Sequence, residues 1–213
     1  MPHLRWFLAF LATGTGAMAA ACGTSGYQYV ENGELGVYAK LPGDWTMYDE
    51  EDLFASTGEE VSEMELENLS DRLWFRGFDA GDDPEVAEML DLAGDEPRGF
   101  VAVEQLSVVQ REQMNIMQMR GFSPLDLTGE SAQRFQLISE EPVEFDGGYH
   151  GIHSVFTRVE EEGVATVDQT ILLDSTGSTL YRFVVGCSQD CYSETHTDEI
   201  ETIVDSWTIQ EGG

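Results

Sequence analysis

Three groups of side chains in this sequence have types and spacings that could do chemistry. Cys187-Ser188-Gln189-Asp190-Cys191 places two thiols close together, with His196 just beyond. Such a set reads as a local disulfide or as a loose zinc site, because zinc takes thiolate and imidazole ligands. His150-Gly151-Ile152-His153 puts two imidazoles at the start of an expected strand. Odd spacing along a strand sends them to opposite faces, which disfavours shared chelation. Asp79, Asp82, Asp83 and Glu85 form the densest short acid cluster and are the weak candidates for a cation such as Ca²⁺. That stretch lacks the Gly and the bidentate Glu of an EF-hand loop, so a solvated loop is the default. Met114, Met117 and Met119 read as core filler rather than as a ligand box. No Gly-x-Ser-x-Gly, no Gly-rich phosphate loop with Lys and no His-Glu-x-x-His is present. The expectation is a chain that is not an enzyme and takes no cofactor.

The context of these groups is set at the start of the chain. Arg5 precedes an apolar run over residues 6–12, and small residues follow, ending Ala19-Ala20-Ala21-Cys22. This is the charge, apolar and cleavage pattern of a secretory signal. The apolar run is too short to span a bilayer, which takes about 20 residues. Small residues directly before a Cys resemble the processing signal of bacterial lipoproteins. That resemblance implies lipidation of the Cys22 thiol and removal of residues 1–21, leaving 22–26 as a flexible tether. Ala19 stands where a large aliphatic residue is usual, so ordinary cleavage and free secretion is the alternative. Cysteine arithmetic agrees with an anchor: Cys187 and Cys191 make a local pair, and Cys22 is the odd one. Outside the cytoplasm the disulfide is the better account of that pair. The expected location is extracytoplasmic, on a bacterial cell membrane.

Ten basic residues face 41 acidic ones, a formal net charge of −31. A phosphate-tracking surface needs Lys and Arg, so nucleic acid is excluded as a partner. Hydrophobic residues make up 41% of the 213-residue chain, enough for a real core. Lys40 is the sole lysine. The acidity fits either GC-rich codon usage or a saline habitat; in both cases self-repulsion destabilises the fold at low ionic strength.

These groups need elements to hold them. Residues 37–48 read as a hairpin turning at Pro42-Gly43-Asp44. Residues 49–60 read as an acidic loop, and Leu66, Leu69 and Leu73 as one face of a short helix. A strand follows over 73–78, with Trp74, Phe75 and Phe78 as candidate core. Residues 79–98 read as a loop around a short helix, 99–109 as β-rich and 112–120 as helical. The span 135–186 reads as an antiparallel meander with turns at 160–163 and 174–178. The last helix is expected over 197–207, capped by Thr195 or Thr197. Ile200, Ile203, Val204 and Trp207 make its buried stripe. Thr208-Ile209 adds an edge strand. One domain, 27–211, is the economical division.

Two stretches resemble the PsbP-like domain family. Glu34-Leu35-Gly36-Val37-Tyr38-Ala39-Lys40-Leu41-Pro42-Gly43-Asp44-Trp45 is similar to the family's opening strand and turn. Ile200-Glu201-Thr202-Ile203-Val204-Asp205-Ser206-Trp207-Thr208-Ile209 is similar to its closing helix and strand. The resemblance implies an α+β fold, an α/β/α sandwich on a central antiparallel sheet, and a role in binding or assembly. Many bacterial members are lipoproteins, which agrees with Cys22. The expected function is a non-enzymatic, membrane-anchored module that binds a protein partner. The alternative is a carrier holding a small apolar ligand between sheet and helices.

Overall fold

The computed structural model describes residues 26–56, 71–89, 91–114, 135–159 and 163–210. The signal segment, Cys22, the helix through Leu66 and Leu69, and Met117 and Met119 lie outside the described residues. In chain order the elements are β1 (Tyr27–Asn32), β2 (Val37–Pro42), β3 (Thr46–Tyr48), α1 (Glu50–Ser56), β4 (Leu73–Asp79), β5 (Arg98–Gln105), α2 (Val108–Gln113), β6 (Phe135–Phe145), β7 (Tyr149–Val159), β8 (Val164–Leu173), β9 (Thr179–Ser188), α3 (Thr197–Ser206) and β10 (Thr208–Ile209). A seven-stranded antiparallel sheet runs β3-β4-β5-β9-β8-β7-β6, and a three-stranded one runs β1-β2-β10.

The meander forms because alternation in β7, β8 and β9 gives each strand an apolar face. Along β9, Tyr181, Phe183, Val185 and Cys187 enter one core, and Leu180 and Val184 enter clusters on the opposite face. The turn between β8 and β9 is held by Asp174, whose carboxylate accepts bonds from Ser178 N (2.7 Å) and Thr179 N (3.1 Å). Partial burial opposes ionisation of Asp174. Hydrogen bonds from Thr176, Thr179 and Ser178 outweigh it and hold the carboxyl below its ordinary range.

The main core lies between the large sheet and a second layer made of the small sheet and α3. Val30, Val37, Ala39 and Leu41 come from the small sheet, and Ile200, Ile203 and Trp207 from the helix and its end. Trp207 stacks on Phe183 with ring centroids 5.4 Å apart. Gly36, at φ 68°, closes this layer: its carbonyl accepts Gln210 N at 2.8 Å, and a Cβ there would lie 1.8 Å from Gln210 O. The other face of the large sheet buries Met89, Leu92, Ala93 and Leu106. Phe75 and Phe78 are buried and Trp74 is partly so.

Several expectations need correction. Residues 37–48 are not a hairpin, because β2 pairs with β1 and β10 while β3 pairs with β4. The turn docks Gly43 N on Gly26 O (2.7 Å) and sends Trp45 into the core beside Phe78, so the chain changes layer there. Residues 50–56 are helical rather than loop, since Asp49 Oδ1 takes up Glu51 N and Asp52 N in the manner of an N-cap. The helix expected over 112–120 is not found as such: α2 starts at a capping box of Ser107 and Gln110 and ends at Gln113, with Met114 extended, and 115–120 lie outside the described residues. β6 runs unbroken through Pro142, as an outer strand can, with a register shift between Leu137 and Ser139. α3 has neither threonine as a side-chain cap; His196 occupies the cap position, and Thr197 Oγ1 donates to Tyr192 O at 2.9 Å.

Candidate functional site

The two cysteines of the local pair are joined. Cys187 and Cys191 form a disulfide with Cα atoms 5.9 Å apart, and both are buried. The bond clips the end of β9 to a single π-helical turn, Cys191–Thr195, which leads into α3. His196 stands apart from the sulfurs' bond and bridges Glu199 Oε2 (2.6 Å) and Glu96 Oε2 (3.1 Å), tying the 94–97 turn to α3. In the acid cluster, Asp79 is fully buried, with Oδ2 3.0 Å from Arg98 Nε and Oδ1 accepting Gly81 N at 2.7 Å. The Arg98 contact is an ion pair too bent to be an aligned hydrogen bond. Asp82, Asp83 and Glu85 are exposed and do not share Asp79's surroundings. Among the described residues, no group of three or more His, Cys, Asp or Glu side chains is placed to hold a metal.

His150 and His153 part as strand geometry requires. His150 Nδ1 lies 3.2 Å from Gly148 O, while His153 turns to the opposite face. There a half-buried polar clasp appears that the sequence did not announce. His153 Nε2 is 2.8 Å from Asp168 Oδ1, its Nδ1 is 3.5 Å from Glu141 Oε1, and Tyr192 Oη donates to Asp168 Oδ2 at 3.0 Å. The hydrogen bond to Asp168 raises the His153 pKa against the opposing effect of burial. Burial, then the charge of Asp168, raises the Tyr192 phenol as well, so it stays protonated as a donor.

The His153 clasp gives a signed pH dependence. A raised imidazole pKa contributes stability that is complete below about 6.5, the unfolded value, and is lost as pH climbs through the folded value. The stability difference between the wild type and His153→Asn is therefore expected to be larger at pH 6 than at pH 9, as read from urea midpoints. A difference that grows with pH would contradict the clasp.

The outer face of the small sheet carries two exposed aromatic rings and a cation. In β1, Gln28 and Val30 point inward, with Gln28 Nε2 donating to Pro42 O at 3.0 Å. Tyr27 and Tyr29 point outward and are 53% and 58% exposed. Lys40 sits across from Tyr29 on β2, and its ammonium lies 3.5 Å from the centroid of the Tyr27 ring. Beside Tyr27 an open groove of about 350 Å³ separates the end of β2 from the first turns of α3. Tyr27 and Pro42 give it apolar walls, and Asp44, Asp198 and Glu199 line it with carboxylates.

Crowded exposed carboxylates also fix the response to salt. Screening shortens from about 10 Å at 0.1 M to about 3 Å at 1 M, so added NaCl is expected to raise Tm. CaCl₂ at matched ionic strength is expected to give the same rise, because Asp79 is buried and engaged by Arg98 while Asp82 and Asp83 are exposed. A larger rise in Ca²⁺, abolished by Asp82→Asn with Asp83→Asn, would reveal a cation site in that loop.

The arrangement of elements matches solved structures. The solution structure of cyanobacterial PsbP (CyanoP) from Synechocystis superposes with a TM-score of 0.51 at 13% identity, over 89% of this chain and 96% of that one. LpqN of Mycobacterium tuberculosis, described as involved in cell envelope biogenesis, matches with a TM-score of 0.45 at 16% identity, over 87% of this chain and 91% of its own. The Saccharomyces cerevisiae Ran-binding protein Mog1p matches at 0.42 and 11%, over 87% and 96%. No family model and no curated protein matches the sequence. The fold is PsbP-like: an α+β chain built on a large antiparallel sheet.

Proposed function

We propose that this chain is an extracytoplasmic, non-enzymatic interaction module, tethered to the membrane through Cys22. On this reading residues 1–21 are a signal, 22–26 a tether and 27–211 one binding domain. The observation that carries it is the buried Cys187–Cys191 disulfide. Such bonds persist in oxidising compartments outside the cytoplasm, and this one leaves Cys22 as the odd cysteine. The PsbP-like fold agrees with a binding role. Carriage of a small apolar ligand between sheet and helix has less support, because Phe183, Trp207, Ile200 and Ile203 pack into that layer boundary.

Mass spectrometry of the membrane fraction tests the anchor. An acylated N-terminal Cys22 is expected, and Cys22→Ser is expected to move the protein to the soluble fraction. Each buried CH₂ contributes about 0.8 kcal/mol, so more than one acyl chain holds the protein stably. An unmodified Cys22 thiol on a freely secreted chain would overturn the anchor.

A further inference from the structure

We propose that β1 is the docking strand for a second copy of this chain, the two copies pairing antiparallel about a two-fold axis at Tyr29. The inference goes beyond the proposed anchor and holds with Cys22 acylated or free. β1 ends the small sheet, and among the described residues no strand lies beyond it. Its six residues hold no proline, and its register with β2 runs without a bulge. It therefore lacks two of the devices that keep an outermost strand from pairing.

The direction of the main chain fixes the register. In an antiparallel strand, alternate residues turn their N–H and C=O groups to opposite edges. Gly26 faces β2, since its carbonyl accepts Gly43 N at 2.7 Å. Lys40, opposite Tyr29 on β2, faces away from β1, since its N–H donates to Ser206 Oγ at 2.8 Å. Pro42, opposite Tyr27, has no N–H to offer. Tyr27, Tyr29 and Glu31 accordingly turn their main-chain groups to the open edge. A two-fold axis at Tyr29 sets this residue against its own duplicate and Tyr27 against Glu31 of the second copy. In that register each outward N–H and C=O of the three residues meets a partner, with Cα atoms about 5.5 Å apart across the join.

The side chains agree with this register. Tyr27, Tyr29 and Glu31 are exposed on one face, so Tyr29 gains a cross-strand aromatic partner. Lys40 reaches along the same face until its ammonium lies 3.5 Å from the centroid of the Tyr27 ring. Glu31 of the second copy arrives opposite that ring. The single lysine of each chain thus meets a carboxylate of the other, twice across the axis. The contact closes at two copies, because the same strand serves both sides and the other margin of β2 is held by β10 and Ser206. The net charge of −31 on each copy opposes association, so added salt is expected to favour the pair.

A photo-crosslinking residue in place of Tyr29 in the full-length chain, in living cells, is expected to give a product joining two differently tagged copies. Crosslinks to another protein alone, or none, would overturn the inference. Sedimentation velocity of the Cys22→Ser chain is expected to show monomer and dimer, shifting toward dimer from about 0.1 M to about 1 M NaCl. A monomer at both salt concentrations would overturn it. Glu31→Lys lowers the overall repulsion yet sets two ammonium groups together, and is expected to weaken the dimer about tenfold, since the contact occurs twice. Glu31→Lys combined with Lys40→Glu restores the opposite charges and is expected to recover the affinity to within about threefold. Tightening by Glu31→Lys, or no recovery in the charge swap, would refute the register. Tyr29→Pro removes the N–H at the axis without touching the bonds between β1 and β2, and is expected to abolish the dimer while circular dichroism stays that of the folded chain. A folded Tyr29→Pro chain that still dimerises would refute it as well; if proline disturbs β1, the charge swap decides.

Discussion

Replacing Ile203 with Asp is expected to abolish the folded state. Ile203 is fully buried on the inner side of α3, in the core shared with Ala39, Leu41, Phe183 and Trp207. A carboxylate there would be stripped of water with no cation facing it, and such burial costs more than about 4 kcal/mol. Domains have only about 5–15 kcal/mol in hand. Loss of the cooperative urea transition and of near-ultraviolet dichroism is the expected readout. Ile203→Val should cost only about 0.5–1.5 kcal/mol, and Glu201→Ala, on the exposed side of the same helix, should fall within about 0.5. A folded Ile203→Asp protein would mean that α3 is not docked as described.

The second large effect is expected at Arg98. Its Nε faces the buried Asp79, while its guanidinium also donates to Glu88 O (3.2 Å) and Asp91 O (3.3 Å) and pairs with Glu88 Oε2 (3.3 Å). One side chain thus neutralises an interior carboxylate and fastens the 86–93 turn to the sheet. Arg98→Ala leaves Asp79 charged and unaccompanied, at a cost of about 3–5 kcal/mol. Arg98→Met combined with Asp79→Leu removes both charges and is expected to recover most of that loss, because a buried pair contributes little over an apolar replacement. Urea midpoints for the two singles and the double give the coupling. If the double variant is as damaged as Arg98→Ala, the turn contacts rather than the stranded carboxylate account for the loss.

The meander and the closing helix were legible because their periodicities are clean. Ala165, Val167, Ile171 and Leu173 recur at strand spacing, and Ile200, Ile203, Val204 and Trp207 at helical spacing. What escaped depends on long-range cover. Thr166, Asp168 and Thr170 look like a solvent face in sequence, yet all three are buried in the fold. Tyr192 and His153, which meet at Asp168, are separated by the rest of β7, the whole of β8 and β9 and the turns between them. Asp79 is indistinguishable by type from Asp82 and Asp83. Only its place at the end of β4, opposite Arg98 on β5, draws it inside. Residues 37–48 misled because a turn between two short strands does not say whether they rejoin. The burial of Trp45, which commits the chain to crossing between layers, is a tertiary fact. The groove at Tyr27 was illegible for the same reason, since its walls come from β1, the end of β2 and α3.

β6, the outermost strand of the large sheet, has a bearing on how densely copies of this protein can be packed. A long marginal strand normally invites another chain to continue the ladder, and exposed Leu137 and Ile138 would add to that pull. Here a second copy meets a proline with no N–H to donate, a ladder thrown out of step at Leu137, and Glu140, Glu141 and Glu144 opposed to their own duplicates. Fibre growth by stacking of like strands is blocked at its first addition. Copies of the protein can therefore collide often along this margin without polymerising.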